Sequence, residues 1–191
     1  MCFKNDNPIY NPKTGERHQT VSWGVIVADA ETLKPVEDLY VEIKWNEKSK
    51  EQRAADPSWG SKAETIHGLT QEYLEKNGVT EEEACCLIGE LILKYWGPDG
   101  TIRTLGHNVH TFDMPHFRDM FARHEIPLRF GSRHYDTNSG GFFTFGTWNS
   151  DDLFSMVGFE DRNAHNALDD AHMSLASARA MRLIFQKALE G

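Results

Sequence analysis

A change of hydrophobic period along the chain constrains its fold more than any other feature. Between residues 39 and 45 apolar and polar side chains alternate, and the apolar ones share one face: Leu39, Val41, Ile43 and Trp45. This period of two predicts a strand with one buried face. Residues 80–95 instead repeat apolar side chains at helical spacing, which predicts an amphipathic helix. A chain that switches between the two periods is typical of the mixed α/β class.

Three further segments are predicted to be strands. Residues 20–29 are rich in β-branched and aromatic residues, and we expect them to pair antiparallel with residues 39–45. Residues 101–106 and 133–136 predict two short strands. Residues 46–62 are polar and predict a loop.

Helix signals fill most of the remaining chain. Thr80 and Glu83 form a capping box, and Gly97 stops the helix that follows. Other predicted helices lie on either side of a break at Gly68, after Pro115, and over about 166–188. The predicted order β, β, α, β, α, β, α describes a mixed sheet flanked by helices. No repeat or linker divides the chain, so we expect a single domain over residues 1–191, with an irregular segment at 1–19.

The charge and cysteine content exclude several classes of protein. The 191 residues carry a formal net charge of −9, which argues against a broad basic surface for duplex DNA. No apolar run is long enough to span a membrane, and no signal-peptide core is visible. Three cysteines, two of them adjacent, do not form a disulfide framework. We therefore predict a cytoplasmic protein.

Two acidic segments carry the candidate chemistry. Asp113 follows a predicted strand and loop, and Asp170 lies on the final predicted helix, five residues after His165. A histidine base and carboxylates from separate elements are the parts of a metal-dependent phosphodiester-cleaving site. The plainer alternatives are that Asp113 is only a helix cap, and that Asp169 is a surface or capping partner of His165.

The motifs around these residues resemble those of a known family. Three stretches occur along the chain in the family's order: residues 63–70 (AETIHGLT), Gly106 to Asp113 (GHNVHTFD) and His165 to Asp170 (HNALDD). Together they resemble the DnaQ-like 3′–5′ exonucleases of the DEDDh type, which have a ribonuclease H-like fold: a mixed β-sheet flanked by α-helices.

The resemblance implies a two-metal phosphodiesterase that acts on the 3′ ends of single-stranded DNA or RNA. Asp113 and Asp170 would be ligands of two Mg²⁺ or Mn²⁺ ions, and His165 would deprotonate the attacking water. Asn108 would hold the second-motif loop or contact the substrate. His67, in the stretch at 63–70, is also expected to contact the substrate.

The family's first motif, Asp-x-Glu-Thr-Gly on a central strand, is absent from this sequence. Asp6 and Glu16 are the only acids before Ser22, and neither belongs to such a pair. We therefore expect that a segment of the natural product is missing, or that the chain is a shortened, catalytically damaged version. Without the first central strand, neighbouring strands lose their shared partner and expose edges. Such edges make a homodimer a further expectation.

Two alternatives to the exonuclease prediction are open. One is a non-catalytic descendant that binds nucleic acid or a protein through the same cleft. The other is a zinc site made of His107, His110 and His116, which we discount because no cysteine or tetrahedral spacing supports it.

Residues 138–148 form an aromatic segment after a Gly-Gly pair, with Phe142, Phe143, Phe145 and Trp148. This pattern favours a β-hairpin or loop that buries its aromatic side chains. The functional alternative is a mobile loop on which Phe142 and Phe143 stack the terminal bases of a single strand.

Overall fold

The computed structural model describes residues 18–159 and 166–190. These residues form two small β-sheets and eight helices, joined by loops. In chain order the elements are β1 (Ser22–Ala28), β2 (Pro35–Glu42), α1 (Glu47–Ala55), α2 (Ser61–His67), α3 (Gln71–Asn77), α4 (Glu81–Trp96), β3 (Leu105–Gly106), α5 (Asp113–Arg123), β4 (Tyr135–Asp136), α6 (Thr137–Phe145), α7 (Ser150–Met156) and α8 (Ala167–Glu190). The predicted α/β class is confirmed.

Strands β1 and β2 form the longer sheet. They pair antiparallel, with Trp23 opposite Val41, as the alternation predicted. Strand β2 begins at Pro35, earlier than the clean alternation begins. Val41, Ile43 and Trp45 are buried, so the predicted inward face is correct.

The prediction of a loop over 46–62 is wrong, because α1 forms there. Asn46 caps the helix by accepting a hydrogen bond of 2.8 Å from the backbone N–H of Ser49. Arg53 pairs with Glu64 of α2. A polar helix of this kind shows no apolar stripe, and its stability comes from the cap and from charged neighbours.

The main core lies between the β1–β2 sheet and helices α4 and α5. Trp23 packs edge-on against Phe117, with ring centroids 5.1 Å apart, and its Nε1–H donates to the sulfur of Met120 at 3.2 Å. The capping box of Thr80 and Glu83 forms as predicted and begins α4. The apolar stripe of α4 packs into this core.

Helix α8 covers the opposite face of β1. At Gly24 an added Cβ would lie 2.3 Å from the backbone nitrogen of Leu168, so only glycine admits the start of α8 at this distance. Further along, Arg182 donates to the carbonyl oxygens of Ala30 and Glu31, just beyond the end of β1. Helix α8 and strand β1 therefore run in the same direction.

Strands β3 and β4 form a short parallel pair, with Leu105 opposite Tyr135 and Gly106 opposite Asp136. The predicted strands at 101–106 and 133–136 are thus real but shorter. An isolated bridge between Ile102 and Phe130 extends the contact. None of the helices in the described residues is long and apolar enough to cross a membrane.

The favoured hairpin or buried loop over 138–148 is wrong. Residues 137–145 form α6, which Asp136 caps by accepting from the N–H of Asn138 at 2.9 Å. Phe142, Phe143 and Trp148 are exposed, with relative exposures of 47%, 81% and 62%. An Asp cap outweighed the β-propensity of the aromatic run.

Candidate active site

A deep cleft separates β1 from β3, and we refer to it as the β1–β3 cleft. Its volume is about 1320 Å³. Strand β1 and residues 101–106 form its two sides, while α8 covers one face and α4 and α5 cover the other. Asp113 and Asp170 both line it, so the structure brings together the two carboxylates that were predicted to act together.

Each carboxylate is positioned by the start of a helix. Asp113 is the first residue of α5, and the next N–H, that of Met114, donates to the carbonyl oxygen of Val109 at 2.9 Å. Asp170 lies one turn into α8, which Asn166 caps by accepting from the N–H groups of Leu168 and Asp169. Helix N-termini favour negative charge, which suits both positions.

The environment of Asp113 favours its protonated form. The pKa of Asp113 is raised to about 6, mainly by burial of the carboxyl group, and the negative charges of Asp136 and Asp170 act in the same direction. Acidic groups that are held close together in this way favour a bound cation, because a cation offsets both the burial and the repulsion.

Asp136 is a site residue that sequence reasoning missed. Its Oδ1 accepts from the N–H of Asn108 at 2.8 Å and from the N–H of Asn138 at 2.9 Å. It therefore ties the loop before Asp113 to the start of α6. The available signal was an Asp that ends a predicted strand and precedes Thr137, a favourable arrangement for a helix cap.

Asn108 lies in the loop that precedes α5 and takes part in hydrogen bonds there. Its φ of 60° is left-handed, a conformation that Asn tolerates better than most residues. Its side-chain oxygen accepts from the hydroxyl of Thr111 at 2.6 Å. The side chain is exposed at the surface, where a substrate has access to it.

His107 lies in the same cleft, half-buried beside α6. Its Nδ1 is 3.2 Å from the hydroxyl oxygen of Thr137, and its ring packs edge-on against Phe154. Burial lowers the pKa of His107, whereas the charges of Asp136 and Asp170 act in the opposite direction. A neutral imidazole next to carboxylates acts as a hydrogen-bond partner for a substrate or water.

His67, Phe142 and Phe143 are not brought to the cleft. His67 ends α2, where its Nδ1 accepts from the N–H of Leu69 at 3.0 Å, and it is not among the residues that line the cleft. Phe142 and Phe143 form an exposed aromatic cluster with Trp148, with centroid distances from Phe142 of 5.4 and 5.7 Å. His165 lies outside the described residues.

No protein-family model matches this chain, and no curated protein matches it. Solved structures do match. The zinc-bound complex of E. coli exonuclease I with single-stranded DNA aligns with 90% of this chain and 38% of that chain, at a TM-score of 0.65 and 16% identity. A full-length 3′-exonuclease aligns with 89% of this chain and 73% of that chain, at a TM-score of 0.58 and 14% identity.

A 3′-exonuclease that recognises the 3′ end of a histone mRNA stem-loop aligns with 88% of this chain, at a TM-score of 0.60 and 14% identity. The chain shares the fold of these exonucleases. This confirms the predicted ribonuclease H-like architecture. The chain spans little more than a third of E. coli exonuclease I, so the likeness to that protein concerns one part of it.

Two carboxylates of the β1–β3 cleft are candidate ligands for a divalent ion. Asp113 and Asp170 supply oxygen donors from two elements, and Mg²⁺ commonly binds through one or two carboxylates together with water and phosphate. Across residues 18–159 and 166–190 there is no group of three or more His, Cys, Asp or Glu placed to hold a metal. The described residues thus fit one ion whose other ligands are water and substrate.

Proposed function

We propose that this chain is a divalent-metal-dependent 3′–5′ exonuclease that hydrolyses phosphodiester bonds at single-stranded DNA or RNA 3′ ends. The observation that carries the proposal is the convergence of Asp113 and Asp170 in one cleft of an exonuclease fold. E. coli exonuclease I, which shares the fold, is described with single-stranded DNA.

Asp113 and Asp170 are proposed to hold Mg²⁺ or Mn²⁺, which when bound polarises the scissile phosphate and activates water. Two ions are proposed, and the second requires ligands beyond the two carboxylates. Asn108 keeps the loop before Asp113 in place by its hydrogen bond from Thr111. His165 is proposed to accept the proton of the attacking water, a role that suits a group titrating near neutral pH.

Substrate contacts are proposed at the rim of the site. The exposed rings of Phe142 and Phe143 offer π-faces to unstacked terminal bases, and such contacts need no sequence specificity. His67 is proposed to contact the substrate from α2. Because the chain is acidic overall, the negative phosphates require cations at the site, which the metal ions supply.

A second candidate function is binding of nucleic acid or a protein without cleavage. The absence of a three-ligand group from the described residues favours it, because a site with two carboxylates lacks ligands that a two-metal mechanism uses. A cytoplasmic location and a homodimer are further proposals. The free thiols of Cys85 and Cys86 suit a reducing compartment.

One assay separates the two candidates. The 191-residue chain is incubated with end-labelled single-stranded DNA and RNA of matched sequence, in Mg²⁺, in Mn²⁺ and in chelator. Metal-dependent shortening from the 3′ end that is lost in Asp170→Asn and in His165→Ala supports the exonuclease. Asp169→Asn is the matched control, because its carboxylate is adjacent in sequence but does not line the cleft. Binding without shortening in any metal contradicts the exonuclease and supports the second candidate.

A further inference from the structure

Basic side chains gather at the rim of the β1–β3 cleft. Residues 101–135 hold five arginines and five of the nine histidines against three acidic residues, in a chain whose formal net charge is −9. His110, His134 and Arg118 come together within this stretch, and we refer to them as the His110–His134–Arg118 cluster. A local excess of positive charge in an acidic protein points to an anionic ligand.

The two imidazole rings of the cluster are held close together. The ring centroids of His110 and His134 are 5.0 Å apart, and the ring planes are tilted by 32°. The hydroxyl of Thr104 forms a hydrogen bond with Nδ1 of His134, which fixes the orientation of that ring. Nε2 of His134 therefore remains for a ligand, and His110 is exposed beside it. Two imidazoles in this arrangement can donate to one shared oxyanion.

Arg118 supplies the permanent positive charge of the cluster. Its guanidinium lies over the ring of Phe130, with Cζ 5.6 Å from the ring centroid, and the residue is exposed. Arg123, further along α5, instead donates to both carboxylate oxygens of Glu81 at 2.8 and 2.9 Å. A guanidinium that is held on an aromatic face keeps its planar N–H edge for a phosphate, which it binds through two parallel hydrogen bonds.

The electrostatics of the cluster favour an anion over a cation. Burial lowers the pKa of His134, and the positive charges of His110 and Arg118 act in the same direction. His107, which also lines the cleft, instead lies in the field of two carboxylates. Positive groups that are held together repel each other, and a bound phosphate offsets that repulsion. A metal ion would add to it, which argues against a zinc site at these two histidines.

The cluster lies close to both ends of the candidate active site along the chain. His110 is three residues before Asp113, and His134 is two residues before Asp136. His134 lines the β1–β3 cleft together with Asp113 and Asp170. A single strand carries a phosphate at every nucleotide, so a strand that is held at the carboxylates brings further phosphates to the rim of the cleft.

We propose that the His110–His134–Arg118 cluster binds one internal phosphodiester of the single strand, next to the carboxylates that hold its 3′ end. The site is separate from the proposed metal ligands and from the aromatic cluster of α6. The inference deepens the proposed function and rests on it for the identity of the strand. Because the ligand is the phosphate backbone, the site contributes affinity for every base sequence alike.

The test measures binding of a labelled oligonucleotide to the full chain in chelator, where cleavage does not interfere. The probe is a single strand of about fifteen thymidines, followed by fluorescence anisotropy over a series of salt concentrations. We expect Arg118→Gln to raise the Kd about fivefold or more, and the double variant His110→Gln/His134→Gln to do the same. The slope of log Kd against log salt should fall by about 0.7–1 in Arg118→Gln, because one phosphate contact is lost.

Arg129→Gln is the matched control for the loss of charge. Arg129 belongs to the same stretch, but its guanidinium donates to the carbonyl oxygen of Asp99 at 3.5 Å, and it does not line the cleft. We expect its Kd to stay within about twofold, with the salt slope unchanged. Thermal denaturation checks that every variant is folded. Equal changes in Arg118→Gln and Arg129→Gln would show that overall charge sets the affinity, and would overturn the proposal.

The histidine signals of the unmodified chain identify the ligand independently of any loss of affinity. In heteronuclear NMR spectra we expect the ring signals of His110 and His134 to shift when the oligonucleotide is added. Shifts with inorganic phosphate but not with the oligonucleotide would mean that the site takes free phosphate. Shifts with a polyglutamate peptide alone would mean that it takes an acidic protein partner. Either result, or the absence of any shift, overturns the proposal.

A failure of this proposal is distinguishable from a failure of the proposed function. If the chain shortens single strands in Mg²⁺ while Arg118→Gln leaves the Kd and the salt slope unchanged, the nuclease function stands and the phosphate site is refuted. If Arg118→Gln weakens binding as expected but no strand is shortened in any metal, the phosphate site stands and the nuclease function is refuted.

Discussion

The two β-sheets of this chain differ in length and in what lies at their ends. Strands β1 and β2 have seven and eight residues, and Trp23 and Val41 bury their side chains in the main core. Strands β3 and β4 have two residues each. His107 directly follows β3, and Asp136 ends β4. The long sheet therefore buries side chains in the main core, whereas the short pair places polar groups in the β1–β3 cleft.

The largest effect is expected from the core of the long sheet. Phe121 is 2% exposed and stacks on Phe117 at 4.7 Å. Phe121→Ala should lower the free energy of unfolding by about 3–5 kcal/mol, as measured by denaturant titration. Phe143→Ala is the control, since that ring is exposed, and should change stability by less than about 0.5 kcal/mol. Similar losses in both variants would contradict the assignment of the core.

The opposite pattern is expected for the carboxylates of the β1–β3 cleft, which the short pair borders. Asp170→Asn should reduce nuclease activity about 10²–10³-fold, with the free energy of unfolding kept within about 1 kcal/mol. Single-turnover cleavage of labelled single strands measures the first quantity, and denaturant titration measures the second. An equal loss of activity in Asp169→Asn would contradict a specific role for the position of Asp170.

The stability of the metal-free protein should depend on pH through Asp113. Its folded pKa is about 6 against an ordinary value of 3.8, so the folded state favours the protonated form. The resulting stabilisation amounts to at most about 3 kcal/mol. It is fully present below about pH 4 and is lost as the pH rises through about 6. Thermal melts in chelator across this range measure it. Asp113→Asn should flatten the profile, and an unchanged profile in that variant would contradict the assignment.

A smaller effect is expected where the start of α8 packs against β1. Gly24→Ala places a Cβ against the backbone of Leu168, so the start of α8 must move, which should cost about 1–3 kcal/mol. Activity should fall as well, because Asp170 lies one turn further along. Gly89→Ala in α4 meets no atom within 4 Å and should stabilise the helix by about 0.5–1 kcal/mol. Both shifts are measurable by thermal denaturation, and a neutral Gly24→Ala would refute the close contact.

The smallest effect is expected at the exposed aromatic cluster. Phe143→Ala should weaken binding of single-stranded 3′ ends by about 1 kcal/mol, roughly fivefold, because stacking contributes about 1–3 kcal/mol per base. Fluorescence anisotropy with a labelled oligonucleotide measures the Kd. Leu183→Ala, at a side chain of α8 that is 55% exposed and does not line the cleft, is the control. Unchanged affinity in Phe143→Ala would remove the stacking proposal.

Much of the fold was predictable from local signals. The antiparallel pairing of β1 and β2 followed from alternation, and the start of α4 followed from the reciprocal hydrogen bonds of Thr80 and Glu83. Helix α1 escaped prediction because a polar helix lacks an apolar stripe. Helix α6 escaped because its aromatic run resembles a strand, while the decisive cap, Asp136, is held in place by Asn108 from a distant loop.

The sequence by itself determined the α/β class, the main strands and helices, and the identity of Asp113 and Asp170 as candidate ligands. These features depend on residues within one or two turns of each other, so they are readable along the chain. Only the tertiary structure decided that the two carboxylates share one cleft, that Asp136 ties the loop before Asp113 to α6, and that β1 and β3 line the same cleft. These relations arise from packing between distant segments, as where α8 meets Gly24, and local periodicity does not encode them.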